Sequence, residues 1–175
     1  MNSMESSRVL FLFVLLFPVL VTSDVLDDVC STTPFPDFCI STLRPDPRIY
    51  AAQGPVFIAV VMLDMVEINN QQVIANLKKL ADQAKDPADK EALLIYASRY
   101  GTINNRFLPD ARDAFISPTR EGKAAAFPPL VSAAQTVDVC SEGIKQLGPD
   151  LSYKSDFAFK GTMICAFIAK SFIGG

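Results

Sequence analysis

The strongest constraint on the fold is a helical repeat of apolar residues between Pro55 and Lys85. Apolar side chains recur there at steps of three and four residues, which is the spacing of one face of an α-helix. Gly54 and Pro55 are typical of a helix start, because the first turn of a helix does not need the amide that proline lacks. The pattern predicts a helix of about eight turns. One stripe consists of Ile58, Val61, Met65 and Ile68, and a neighbouring stripe of Val66, Val73, Leu77, Leu80 and Ala84.

Three further helices are predicted downstream, separated by proline and glycine. Asp86-Pro87 opens the second helix, and Pro109 is expected to kink or weaken it near its end. Residues 117–129 are expected to form an irregular connection, and Gly148-Pro149 separates the third helix from a fourth at about 152–172. The second helix carries Leu93, Tyr96, Tyr100, Ile103, Phe107 and Ala111 on one face, and the third carries Leu130, Ala133, Val137, Cys140, Ile144 and Leu147. Long amphipathic helices with short links predict an all-α, antiparallel up-down-up-down four-helix bundle.

The composition favours binding over catalysis. The chain contains no histidine, so the commonest general base and every Ser–His or Cys–His nucleophile pair are missing. Its glycines are scattered and form no phosphate-binding loop, and no cofactor or metal is predicted. The formal net charge of −3 does not suit nucleic acid or an anionic membrane as a partner. We therefore expect a protein that is not an enzyme.

The beginning of the chain has the pattern of a secretory leader. Residues 9–21 are almost wholly apolar, but this stretch is shorter than the ~20 residues that cross a bilayer. Val21 and Ser23 are small enough for the positions before a cleavage site. We therefore predict a signal peptide at residues 1–23 and no membrane association after its removal. The alternative, an uncleaved membrane anchor, is disfavoured by the length.

Secretion changes the interpretation of the cysteines. In an oxidising compartment, Cys30 and Cys39 are candidates for a disulfide rather than for a zinc site, which would need further ligands. Pro34 and Pro36 lie between them and prevent a continuous helix. The expected structure is therefore two short helical turns folded on each other and joined by a covalent bond.

The stretch 29-VCSTTPFPDFC-39 resembles the opening of the plant invertase and pectin methylesterase inhibitor family. Thr33, Phe35 and Pro36 match the family's threonine and aromatic-proline pair before the second cysteine, and 43-LRPDPR-48 resembles the run that follows. Tyr100 and Cys140 match a tyrosine and a cysteine of the second and third core helices. The likeness covers essentially the whole mature chain. It implies an inhibitor domain at 24–175, with a hairpin at 27–47 that projects from a bundle at 48–175.

One departure from the family concerns the second disulfide, which joins the second and third core helices. Cys140 matches one half, but Tyr96 stands at the position of the other. The remaining cysteine is Cys165, in the last helix. Cys140 and Cys165 are either two free thiols or a substitute disulfide between helices three and four. Counting from the intervening turn places them several Å out of register, at about 1.5 Å per residue, so we favour free thiols.

The resemblance implies a non-catalytic protein that docks on a secreted carbohydrate-active enzyme and excludes its substrate. The target is expected to be pectin methylesterase or acid invertase, in the apoplast or cell wall, or in the vacuole if the target is a vacuolar invertase. Related inhibitors of pectin methylesterase bind through polar residues of the middle core helices. The matching residues, expected to be exposed here, are Arg99, Asn104, Asn105, Thr136 and Asp138. For each of them, ordinary solvated surface is the alternative interpretation.

The choice between the two targets depends on two short segments. Some invertase inhibitors carry Pro-Lys-Phe before the third core helix, where this chain has 123-KAAAF-127. In contrast, 108-LPDA-111 resembles a Leu-Pro-Glu-Ala run of invertase inhibitors. Together these segments favour pectin methylesterase only slightly. The alternatives are a secreted helical protein that binds an apolar small ligand, and a structural protein that inhibits nothing.

Overall fold

The computed structural model describes residues 23–174, and all regular secondary structure in that range is helical. The predicted signal peptide, apart from its last residue, lies outside the described residues. The helices are α1 (Ser23–Ser31), α2 (Pro36–Leu43), α3 (Pro55–Gln83), α4 (Pro87–Thr102), α5 (Leu108–Phe115), α6 (Arg120–Ala124), α7 (Phe127–Lys145) and α8 (Pro149–Lys170). A 3-10 turn (Pro47–Ala51) precedes α3, and a π-turn (Ile103–Phe107) joins α4 to α5.

The long helices form the predicted antiparallel four-helix bundle. The α4–α5 segment acts as one rod, so the rods follow in cyclic order as α3, α4–α5, α7 and α8, each packed against the next. Asp86 caps α4, since its side chain accepts a hydrogen bond from the Ala88 amide. Gly148 joins α7 to α8 at a φ of 127°, a backbone conformation that glycine adopts without strain. The prediction of fold class from helical periodicity is thus confirmed.

Close approach of α3 and α8 depends on a glycine. A Cβ atom at Gly161 would lie 2.5 Å from Cγ2 of Val66 and 3.2 Å from Sδ of Met62. All three residues are buried in the core. Since protein interiors are packed as densely as organic crystals, this contact leaves no room for a larger side chain.

The π-turn directly precedes Pro109. This proline has no amide to donate, and in a regular α-helix its ring would clash with the carbonyl four residues earlier. The helix widens instead: the Leu108 amide donates to the Ile103 carbonyl, five residues back. The predicted perturbation therefore takes the form of one wide turn, after which the helix continues to Phe115.

The connection at 117–129 is more ordered than expected. Thr119 accepts a hydrogen bond from the Gly122 amide and thereby caps the short helix α6. The Arg120 guanidinium donates to the carbonyls of Phe172 and Ser171, so the connection is also bonded to the end of α8. The expectation of an irregular segment missed this cap, which a single threonine supplies.

The N-terminal hairpin has the predicted disulfide, with Cα atoms of Cys30 and Cys39 5.6 Å apart. Thr33 donates to the Cys30 carbonyl and closes α1. The apolar side of the hairpin packs on α8. The rings of Phe35 and Phe159 are 6.3 Å apart and those of Phe38 and Phe157 5.3 Å apart, both edge to face. Burying this face against the bundle is more favourable than exposing it to water.

Candidate protein-binding surface

An ion-pair network ties the 3-10 turn and α5 to α3. Arg48 contacts Asp46 at 2.8 Å and Asp64 at 2.6 Å. Arg112 contacts the same Asp64 at 2.7 Å and Glu67 at 3.1 Å. The hydrogen bonds from Arg48 hold the pKa of the Asp46 carboxyl below its ordinary value. This network explains why the 43–48 run has an aspartate and an arginine, and it fixes the helix that follows the π-turn.

Asn104, in the π-turn, lies inside the bundle, which corrects the expectation that this residue is exposed. Its side chain is only 9% exposed. Asn104 accepts a hydrogen bond from Asn70 at 2.9 Å and donates to the Glu67 carbonyl at 3.1 Å. Asn104 lies four residues after Tyr100 and seven after Ala97, which are both buried, so the spacing of a regular α-helix already places it on the core side.

Asn105 and Arg106, the next two residues, are exposed and line a groove between α3 and α4. Lys78 lines the opposite wall, on α3. Gly101 opens the groove, since a Cβ atom there would meet no atom within 4 Å. The apolar part of the lining consists of Ile74, Leu94 and Ala97. Sequence reasoning found Asn105 but missed Lys78 and Arg106, whose proximity depends on helix packing and on the π-turn.

The seam between α4 and α7 is the place where the family has its second disulfide. A Cβ atom at Gly143 would lie 2.1 Å from the Tyr96 hydroxyl, so the tyrosine ring occupies the space that this glycine leaves. Arg99 is exposed on α4, and its positive charge lies near the Cys140 thiol. Thr136, half-buried one turn before Cys140, donates to the Ser132 carbonyl. Of the predicted contact residues, Arg99 and Thr136 are therefore closest to this seam.

Cys140 and Cys165 are free, buried thiols. Burial raises the pKa of both, and the Arg99 guanidinium partly opposes this shift at Cys140. The Cys165 thiol donates to the Ala59 carbonyl at 3.4 Å. Shielded, protonated thiols of this kind are chemically inert.

Asp138 lies apart from the other predicted contact residues. It is exposed and borders the groove between α7 and α8. Asn105 lines the α3–α4 groove, on the other side of the α4–α7 seam. Asn105 and Asp138 therefore border grooves on opposite sides of the bundle, and Arg99 and Thr136 lie between them at the α4–α7 seam, so the exposed candidates do not form one cluster.

The described region offers a surface for contacts but little for chemistry. Between Ser23 and Gly174, no group of three or more acidic or cysteine side chains is placed to hold a metal ion. Within the same residues, no helix combines the length and apolar character needed to cross a lipid bilayer. The fold and its polar face thus define a class: a helical bundle protein that offers a surface to a partner.

The chain belongs to the plant invertase/pectin methylesterase inhibitor family, whose sequence profile matches residues 24–165. The resemblance drawn from its motifs is confirmed, and the family is one of inhibitors rather than enzymes. The chain has no significant match among curated protein sequences.

Two solved structures share the fold. A mutant form of a pectin methylesterase inhibitor from Arabidopsis has a TM-score of 0.67 and 20% sequence identity, over 83% of this chain and 95% of that one. A pectin methylesterase inhibitor from Arabidopsis thaliana has a TM-score of 0.59 and 20% identity, over 87% and 99%. At this identity the similarity establishes the common bundle.

Proposed function

We propose that this protein is a secreted inhibitor that binds pectin methylesterase in the cell wall and excludes its substrate. Membership of the family supports an inhibitor of pectin methylesterase or of invertase. The choice of pectin methylesterase rests on the residues before α7.

The observation that carries this choice is the internal bonding of Lys123. This lysine lies in 123-KAAAF-127, the segment that stands where some invertase inhibitors carry Pro-Lys-Phe and that does not reproduce it. Its ammonium donates to the Ser117 carbonyl at 2.5 Å, and Phe127 is half-buried against the core. Both side chains are thus engaged within the chain, which leaves this segment poorly suited to contact an invertase. The two Arabidopsis structures of similar fold are inhibitors of pectin methylesterase, in agreement with this choice.

Inhibition by this protein requires a complementary surface and no chemistry of its own. The α4–α7 face with Arg99 and Thr136 would cover the substrate cleft of the enzyme, and Asn105 or Asp138 would contact it from the adjoining groove on either side. A packed bundle loses little conformational entropy on binding, so more of the contact energy contributes to affinity. Asn104 is not among the contacts that we propose, since it is buried.

Parallel inhibition assays test the proposal. The oxidised protein, purified after secretion, is titrated against a plant pectin methylesterase and an acid invertase. We expect stoichiometric inhibition of the methylesterase alone. Arg99→Ala should weaken it about tenfold or more, as loss of an interface arginine often does, whereas Lys79→Ala on α3 serves as the control. Inhibition of invertase alone would overturn the choice of target. No inhibition of either enzyme by the folded protein would favour the alternatives of a ligand-binding or structural protein.

A further inference from the structure

The groove between α3 and α4 has the properties of a contact site for an acidic partner. Lys78 and Arg106 stand on its two walls, and neither forms an ion pair with any residue in the described part of the chain. In contrast, Arg48 and Arg112 are each paired with two carboxylates. The Arg106 guanidinium instead lies 5.7 Å from the centre of the Phe107 ring. Two unpaired cations across an open groove attract carboxylates.

The floor of this groove is apolar and accessible. Ile74 and Ala97 contribute to it, and Leu94, which is 42% exposed, extends it towards the equally prominent Ile95. An apolar floor between cationic walls is complementary to a loop that carries both aliphatic and acidic side chains. It is less suited to a simple anion, which would gain nothing from the apolar floor.

The residues of the π-turn divide between the core and the groove. Asn104 points inwards to Asn70, and the two residues after it, Asn105 and Arg106, point outwards. The Asn70 Oδ1 atom is buried and has no hydrogen-bond partner among the described residues. A buried oxygen without a hydrogen-bond partner lowers the stability of the fold. Two apolar side chains of similar size at positions 70 and 104 would avoid this loss, because replacing both partners of a buried hydrogen bond by apolar groups is often nearly neutral for stability. A costly polar pair at a wide helical turn is therefore better explained by a role in holding the π-turn against α3.

We propose that the α3–α4 groove binds an acidic loop of the inhibited enzyme, and that Asn70 and Asn104 are positioning residues that aim Asn105 and Arg106 into it. This inference rests on the inhibitory function proposed above and adds a second contact area beside the α4–α7 face.

Charge reversal tests the groove. Lys78→Glu and Arg106→Glu should each weaken inhibition of pectin methylesterase about tenfold or more, because each places a carboxylate against the acidic loop. Lys79→Glu is the matched control: it makes the same charge change at the neighbouring exposed position, outside the groove. Inhibition by the wild-type protein should also weaken with added salt, and less so for the two groove variants. Equal inhibition by all three variants would overturn the proposal.

A substitution that fills the groove provides a test independent of charge. Gly101→Leu adds a side chain where the new Cβ would meet no atom within 4 Å, and leucine favours a helix more than glycine does. The fold should therefore be kept, while inhibition falls about tenfold because the acidic loop is excluded from an interface position of this size. Undiminished inhibition by a folded Gly101→Leu protein would show that the groove is empty in the complex.

A double-mutant cycle tests the positioning role. The pair Asn70→Leu with Asn104→Leu should keep the melting temperature and the helical circular dichroism but weaken inhibition. In this background, Arg106→Glu should have little further effect, because Arg106 no longer points into the groove. A purely structural role for the asparagines predicts that the effects of the pair and of Arg106→Glu add, which would overturn the positioning role.

The two proposals fail in different ways. If the wild-type protein inhibits neither enzyme, both are overturned. If it inhibits pectin methylesterase and the groove variants inhibit equally well, only the inference about the groove is overturned.

Discussion

The hairpin and the bundle hold their helices together by different means. In the hairpin, a cystine joins α1 to α2, and two aromatic pairs dock it on α8. In the bundle, the α4–α7 seam has a thiol and a tyrosine where relatives have a disulfide, and Tyr96 fills the space over Gly143. The comparison teaches that a small element depends on a covalent link, whereas long helices with a large buried area can be held by close packing alone.

Removing the cystine should have the largest effect, confined to the hairpin. A disulfide that spans a separation of nine residues contributes about 3 kcal/mol by restricting the unfolded chain. In the variant with Cys30→Ser and Cys39→Ser, amide hydrogen exchange should speed up in α1 and α2 but remain slow in α3 and α8. The wild-type protein treated with a mild reductant is the control. Loss of protection throughout the bundle would contradict the separation of the two regions.

Alkaline pH should weaken the bundle but not the hairpin. Burial raises the pKa of Tyr100 to about 12, while its hydroxyl donates to Ser155 at 3.0 Å. The folded state thus keeps the proton that the unfolded chain loses near pH 10. Stability is fully present below that pH and falls as pH rises towards 12, by about 2 to 3 kcal/mol in total. The raised pKa values of Cys140 and Cys165 act in the same direction.

Urea denaturation at pH 9, 10 and 11 measures this loss. Tyr100→Phe removes the phenol that titrates and should make the pH dependence shallower. If the variant loses stability with pH as steeply as the wild type, Tyr100 is not the source of the effect.

Gly161→Ala should lower the free energy of unfolding by about 1 to 3 kcal/mol, because the added Cβ overlaps Val66 in the α3–α8 contact. Gly101→Ala is the matched control, also within a helix but facing open space. The free energy of unfolding of this control should rise by up to about 1 kcal/mol, because alanine favours a helix more than glycine does. Thermal unfolding of both proteins decides the question: equal shifts in melting temperature would show that close packing at Gly161 contributes nothing.

Gly143→Ala should have the smallest effect and lower the free energy of unfolding by about 1 kcal/mol or less. The atom nearest to the new Cβ is the Tyr96 hydroxyl, at the end of a half-buried side chain that can turn towards solvent. The added methyl group therefore displaces a mobile ring rather than a core residue. Thermal unfolding measures both variants. If Gly143→Ala loses as much stability as Gly161→Ala, the Tyr96 contact is as rigid as the core.

The bundle could be predicted from the sequence because the residue pattern that specifies each helix is local and periodic. Apolar steps of three and four residues mark each long helix, and prolines such as Pro55 and Pro87 mark their starts. The site could be predicted only in part. Pro109 indicated a disturbance, but a proline alone does not tell a kink from a π-turn. Asn104 was expected on the surface although its spacing from Ala97 and Tyr100 places it on the core side. Lys78 and Arg106 come from different helices, and nothing in their local sequence shows that they face each other.

The bonds around the α5–α7 connection have a consequence for how long the protein survives. Arg120 bonds to the last carbonyls of α8, and Lys123 bonds to the carbonyl of Ser117. A protease must bind an extended stretch of backbone, so it can cut this connection only after these bonds have opened. The cleavage rate is then set by the population of the opened segment, and not by exposure alone. The α5–α7 connection is thereby protected without a covalent bond.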